Sequence, residues 1–214
     1  MAGQGEKTAL QSRSIQTRNK IVAAFEALLK EKAFENISVA EIADKAGVSV
    51  GAIYRRFENK DAFIPLILEA YKKRIEAFAA DPANHLEPDI QAGLFPALQE
   101  MTRLAWRFLE KDANLLRAAF IHARTRPDLV GEEWDDLLAV SAAGYAQLLR
   151  LFAEEIQRPD INEAAAMTLY LLNVGISEYG LYPKEGPAAV LALPPEMFTK
   201  SLARAIYGYL TTAD

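Results

Sequence analysis

The 214-residue chain has no cysteine, which excludes disulfides, thiol nucleophiles and cysteine metal sites and suits a reducing compartment. It has two histidines, His85 and His122, and neither carries a glutamate three positions upstream. The Glu-x-x-His pattern of a di-iron helical bundle is therefore absent. So are Gly-x-Gly-x-x-Gly, a Walker-type phosphate loop and His-Glu-x-x-His. Nothing supplies the machinery of an enzyme, and no cofactor or metal is expected. Long apolar runs are missing as well. The longest uncharged stretch near the C-terminus, residues 164–177, spans 14 residues, too few to cross a bilayer. No hydrophobic core of a signal peptide opens the chain. These absences predict a soluble, cytoplasmic protein with no membrane partner. Strand-like alternation and internal repeats are also lacking, so the chain reads as all-α.

What is present is unevenly distributed. The net charge is −5, yet residues 1–80 hold 13 Lys/Arg against 10 Asp/Glu, a net of +3. Residues 81–214 hold 11 against 19, a net of −8. A mildly basic head on an acidic body favours docking on a polyanion in one orientation, with an attraction that weakens in salt.

Within the basic part, residues 38–57 read as two short helices joined by a tight turn. Ser38 and Glu41 form a capping-box pattern that fixes the start of the first. Val39, Ile42, Ala43 and Ala46 recur at helical spacing and give it one buried stripe. Gly47 ends it, because glycine enters the left-handed conformation at no steric cost. Ser49 is positioned to cap the second helix, which is expected to run to about Phe57. At about 100° per residue, Ile53 and Phe57 fall on its inner side and Arg55, Gly51 and Ala52 on the outer. Tyr54 and Arg56 take the shoulders. Small residues let a backbone approach a base edge, and an arginine one turn on can pair bidentately with guanine. A solvated face of a three-helix bundle has the same pattern, so the motif alone leaves both readings open.

The wider segment narrows them. Arg18 to Phe25, Ile37 to Ala43, Ala46 to Ser49 and Ile53 to Lys60 resemble the DNA-binding domain of the TetR family of bacterial transcription regulators. The most specific part is Tyr54-x-x-Phe57 with Lys60 three residues later, opening a long fourth helix. The resemblance covers residues 14–80 and implies a three-helix helix-turn-helix head followed by a helical ligand-binding and dimerisation domain. It implies that Tyr54 and Lys60 contact backbone phosphate, and that Ser38 and Ser49 cap helices whose N-termini face phosphate. It implies base reading by Val50, Gly51, Ala52 and Arg55, and to a lesser degree by Val39 and Ala40. Arg56 is left open between a phosphate contact and a partner within its own domain.

The remaining organisation follows from periodicity and punctuation. Residues 1–13 are polar, have no apolar stripe and read as a mobile arm; residues 14–80 form the head. Residues 81–214 form an effector-binding and dimerisation domain with helices near 89–110, 112–125, 128–157, 161–180 and 195–212, and a long loop between the last two. Ala164, Thr168, Leu171, Leu172, Gly175 and Tyr179 share one face of the fourth of these. Phe198, Leu202, Ala205, Ile206 and Tyr209 share one face of the fifth. Both helices are apolar on further sides, which predicts burial on most sides, either within a monomer or, as is expected here, in a four-helix homodimer interface. The resemblance implies the same pair of helices, an effector cavity and a two-fold dimer on a palindromic double-stranded operator. Met101, Trp106, Phe120, His122, Trp134, Tyr145 and Tyr170 are candidate walls for a small-molecule effector of unknown identity, although each could instead be core, and His122 a satisfied interior imidazole. The function expected is a DNA-binding repressor released by that effector. An activator, or a DNA-binding or interaction module with no effector, would share the same head.

Overall fold

The computed structural model describes residues 3–182 and 186–213, with side chains from Ser12 onward. Every regular element among them is helical. The eleven α-helices are α1 Gly3–Glu31, α2 Val39–Ala46, α3 Val50–Tyr54, α4 Ile64–Ala80, α5 Leu94–Lys111 and α6 Ala113–Thr125. They continue with α7 Pro127–Val130, α8 Glu133–Arg150, α9 Ile161–Leu181, α10 Gly186–Leu191 and α11 Pro195–Thr211.

Packing divides the chain into two units. The first comprises residues 1–74 together with 114–130, and the second comprises residues 75–113 and 131–214. The first unit is built on the apolar stripe of α1, where Ile21, Phe25, Leu28 and Leu29 are buried. A row of aromatic rings holds the short elements to it: Phe34 meets Phe25 edge-on at 5.9 Å, Phe25 meets Phe63 at 4.9 Å, and Phe63 stacks on Phe57 at 4.4 Å. Each such ring buries a large apolar area, so one row fixes four segments at once.

Several boundaries differ from those read in the sequence, for identifiable reasons. Helix α1 starts at Gly3 rather than near residue 14. Its polar first half lacks an apolar stripe but contains Glu6, Lys7, Ala9 and Leu10, all strong helix formers. The segment expected as one helix over 128–157 is two, α7 and α8, separated by a turn at Gly131. Pro96 falls in the first turn of α5, where its missing N–H costs nothing, and a 3-10 turn at 90–92 precedes it. The loop before α11 contains the short helix α10; Pro183 in that loop lies outside the described residues.

In the second unit α5 packs against α9 and α11, and α8 packs against α9. Gly180 permits the closest approach. A Cβ there would lie 2.6 Å from a methyl of Leu109 and 3.3 Å from the Trp106 ring. The side-chain-free position lets α9 and α5 meet backbone to side chain at this level.

Candidate nucleic-acid interface

The helix-turn-helix is held by caps that its own sequence supplies. The Ser38 hydroxyl accepts from the Glu41 N–H at 3.2 Å, and the Glu41 carboxylate accepts from the Ser38 N–H at 2.9 Å. The two bonds form a complete capping box and orient α2. The Glu41 carboxylate also receives the Ser38 hydroxyl at 2.8 Å and the ammonium of Lys32. These donors, Lys32 foremost, hold the carboxyl down to a pKa of about 2.

Gly47 closes α2 in the left-handed conformation, at φ +65° and ψ +38°. The chain then reverses, and the Val48 N–H donates to Ala43 O at 3.0 Å. The Ser49 hydroxyl accepts from the Ala52 N–H at 3.2 Å and starts α3. The regular helix stops at Tyr54, three residues short of the expected end. Arg55 is its C-cap, and N–H groups of Arg56 and Phe57 still bond back to Ile53 O.

The outer side of α3 is made by Val50, Gly51, Tyr54 and Arg55, all exposed. The Arg55 N–H donates to Gly51 O at 3.2 Å, but its side chain has no hydrogen-bonded partner among the described residues, so the planar guanidinium is available. Arg56 is not: it donates from Nη1 to Ala52 O at 3.0 Å and from Nη2 to the Ser14 hydroxyl at 3.4 Å. The alternative left open for Arg56 resolves toward its own domain, although its partners are a carbonyl and a hydroxyl rather than an acid. Ser38, Ala40 and Ser49 are exposed on the same unit, and Val39 is half-buried.

Two readings need correction. Ala52 is 8% exposed and belongs to the core. Its angular position lies off the pole of the outer face, and its side chain is packed inward rather than presented there. Lys60 does not extend outward either. Its ammonium donates to Glu35 O at 2.9 Å and sits 4.7 Å from the centre of the Phe34 ring, where burial lowers its pKa. The Phe34 ring and the Glu35 carbonyl oxygen form the seat that holds the ammonium.

With this geometry, comparison with known proteins decides the kind of domain present. Residues 21–65, which span the second half of α1, α2, α3 and the start of α4, match the family described as bacterial regulatory proteins, tetR family. The head is a TetR-family domain. No curated protein sequence matches the chain. Solved structures of low sequence identity share its fold over nearly the full length. The fatty acid degradation regulator FadR from Bacillus halodurans superposes with a TM-score of 0.59 at 18% identity, covering 90% of this chain and 95% of that one. NalD from Pseudomonas aeruginosa, the secondary repressor of the MexAB-OprM multidrug efflux pump, gives 0.58 at 19% identity, covering 92% and 98%. The TetR-family regulator PfmR from Thermus thermophilus gives 0.57 at 20% identity, covering 87% and 96%. At these identities the likeness is one of fold. The chain thus has a TetR-type helix-turn-helix head and a helical C-terminal region, a fold it shares with these solved structures.

The TetR architecture does not by itself place the effector and dimer residues, and the structure redistributes them. Phe120 and His122 fall in the first unit, where Phe120 meets Tyr71 edge-on at 5.8 Å and His122 meets Phe34 at 5.0 Å. Met101, Trp106, Trp134, Tyr145 and Tyr170 fall in the second. Tyr170 is 60% exposed and does not line an interior wall. Tyr145 is half-buried with its hydroxyl shielded, and that burial pushes its pKa up to about 12. Met101 is a buried core residue of α5.

Trp106 gathers different partners from those expected. Its ring lies 6.0 Å from Tyr179 and 6.1 Å from Phe198, and those two stack at 4.0 Å. Tyr179 and Phe198, read as partner contacts, are therefore contacts within the protomer. The same holds for Ala164, Thr168, Leu172 and Ile206, all fully or almost fully buried. Gly175 faces Leu202, whose methyl groups would lie 3.1 Å from a Cβ at that glycine. Tyr209 lies beneath the Arg158 guanidinium at 4.7 Å and is half-buried, as is Leu171. Of the expected interface residues only Ala205 is exposed. The stripe richest in apolar residues packs on α5 and α8 because that is where most apolar area is removed from water. The opposite stripe, Met167, Tyr170 and Val174 of α9 with Met197 of α11, is the exposed one.

Proposed function

We propose that the protein is a homodimeric TetR-family transcriptional repressor that reads a palindromic operator and releases it when a small-molecule effector binds. The observation that carries the reading is the outer end of α3, where Val50 and Gly51 precede Tyr54 and Arg55 on a capped, rigid helix-turn-helix. A small-residue patch followed by a free guanidinium suits a major-groove edge. Val50, Gly51 and Arg55 read bases, while Tyr54 and the backbone N–H groups near Ser38 and Ser49 meet phosphate. The exposed Met167, Tyr170 and Val174 of α9, with Met197 and Ala205 of α11, form the surface that a second copy covers. Exposed large apolar side chains on both helices favour such a partner. A two-fold pair presents two α3 helices to successive major grooves, about 34–36 Å apart or wider.

The effector acts on the helical region after the head and favours a conformer whose two heads no longer match the grooves. Its effect equals its difference in affinity for the two conformers. The likeness in fold to NalD, itself a repressor, favours repression. The same reading places the protein in the cytoplasm.

Selection of bound duplexes from a random pool, followed by footprinting, tests this function. An enriched inverted repeat protected over two adjacent half-sites is expected, with small molecules that release it found by screening. Failure to enrich any duplex at low ionic strength would overturn it.

A further inference from the structure

His122 lies near the end of α6, on the 114–130 segment that packs with residues 1–74. Its ring and that of Phe34 are perpendicular, with centroids 5.0 Å apart. Both ring nitrogens are buried, and neither has a hydrogen-bond partner in the protein. Phe34 is core, and the Lys60 ammonium sits over it. One turn beyond His122, Arg126 pairs with Asp61 and with Asp128. The imidazole thus fills the seam between α6 and the two turns, 34–36 and 60–63, that flank the helix-turn-helix.

Four charges act on the ring. Glu35 comes from the first turn, Lys60 and Asp61 from the second, and Arg126 from its own segment. The two acids favour a proton on the ring and the two bases oppose it. Loss of water outweighs these effects and holds the imidazole below the usual histidine range.

We infer that His122 makes this seam a pH-sensitive joint, closed by the neutral imidazole and opened by the imidazolium. A neutral ring needs one acceptor and offers apolar edges to Phe34; an imidazolium brings a full charge and two donors to a place that provides no acceptor. The docked segment therefore binds a proton less readily than the released one. The contribution of the neutral imidazole to docking is fully present above about pH 6.5 and is lost as pH falls below it, because the released form takes up the proton first. The Arg126–Asp61 ion pair anchors the far end of the segment.

The joint is tested on the full chain by hydrogen exchange, corrected for intrinsic rates, at about pH 7.5 and about pH 5.5, on either side of the histidine range. In the wild type, peptides covering 113–125 and 34–36 lose protection at the lower pH, while in His122→Phe they do not. Equal losses in both proteins would overturn the joint. NMR titration of the wild type gives a second decision should His122→Phe fail to fold. A His122 midpoint below about 6.5 supports the joint, and one at or above it overturns it. Neither readout involves DNA, so failure here is separable from failure of the repressor reading.

Discussion

The Arg56 guanidinium donates to the carbonyl oxygen of Ala52 one turn earlier, at 3.0 Å, whereas the side chain of its neighbour Arg55 extends from the same helix end without a partner among the described residues. Two consecutive arginines of identical chemistry therefore have different work. Arg56 ties the C-terminal end of α3 to its own backbone and to Ser14 of α1. Replacing it with alanine should lower unfolding stability by about 1 kcal/mol, the net worth of such a bond. The sequence preference on DNA should stay the same. Denaturant unfolding together with a duplex-specificity profile checks both halves.

Gly51 separates reading from folding in the opposite direction. A Cβ there would meet nothing nearer than the Ser49 hydroxyl at 4.0 Å. Gly51→Ala should therefore fold and gain up to about 1 kcal/mol in helix propensity. On the outer face of α3 the added methyl should weaken operator binding. A stabilised variant with undiminished DNA affinity would remove Gly51 from the contact surface.

The capping box predicts acid sensitivity in the head. The Glu41 carboxyl titrates at about 2, below its ordinary 4.5. A lowered carboxyl stabilises the fold above the unfolded value and loses that contribution as pH falls toward the folded one. Between pH 4.5 and pH 2 the wild type should approach the stability of Glu41→Gln, from which it differs at neutral pH. Thermal unfolding across that window measures the convergence.

Helix α9 offers a test of which face meets a partner. Tyr170→Glu should leave the protomer folded and shift sedimentation from dimer toward monomer, since Tyr170 is 60% exposed. Leu172→Ala, at a buried position, should instead cost about 2–5 kcal/mol of stability. A Tyr170→Glu protein that remains dimeric would place the interface elsewhere.

The parts of the head visible in the sequence are those governed by near neighbours. Ser38 with Glu41, Gly47 and Ser49 each act within four residues, and the structure shows each cap in place. Ile53 of α3 and Phe57 just beyond it, both buried, are legible as inward-facing for the same reason. Ala52 and Lys60 are not, because a residue beside the outer face is covered or seated by segments distant in sequence. The Lys60 seat is built by Phe34 and Glu35. Helix α9 shows the limit most plainly. Two apolar stripes are visible in its sequence, but which faces inward depends on α5 and α8, and periodicity does not identify neighbours. His122 likewise reads in the sequence as a candidate effector wall; its placement against Phe34 follows from the packing of α6 with residues 1–74, which has no local signal.

The most direct test of the account is the specificity profile of Arg55→Ala beside that of the wild type on the selected operator. Loss of about 1–3 kcal/mol in affinity, with preference relaxed at a single base pair of each half-site, is the predicted result. An unchanged profile at every position would show that Arg55 reads no base, and would contradict the assignment of the outer end of α3 as the reading surface.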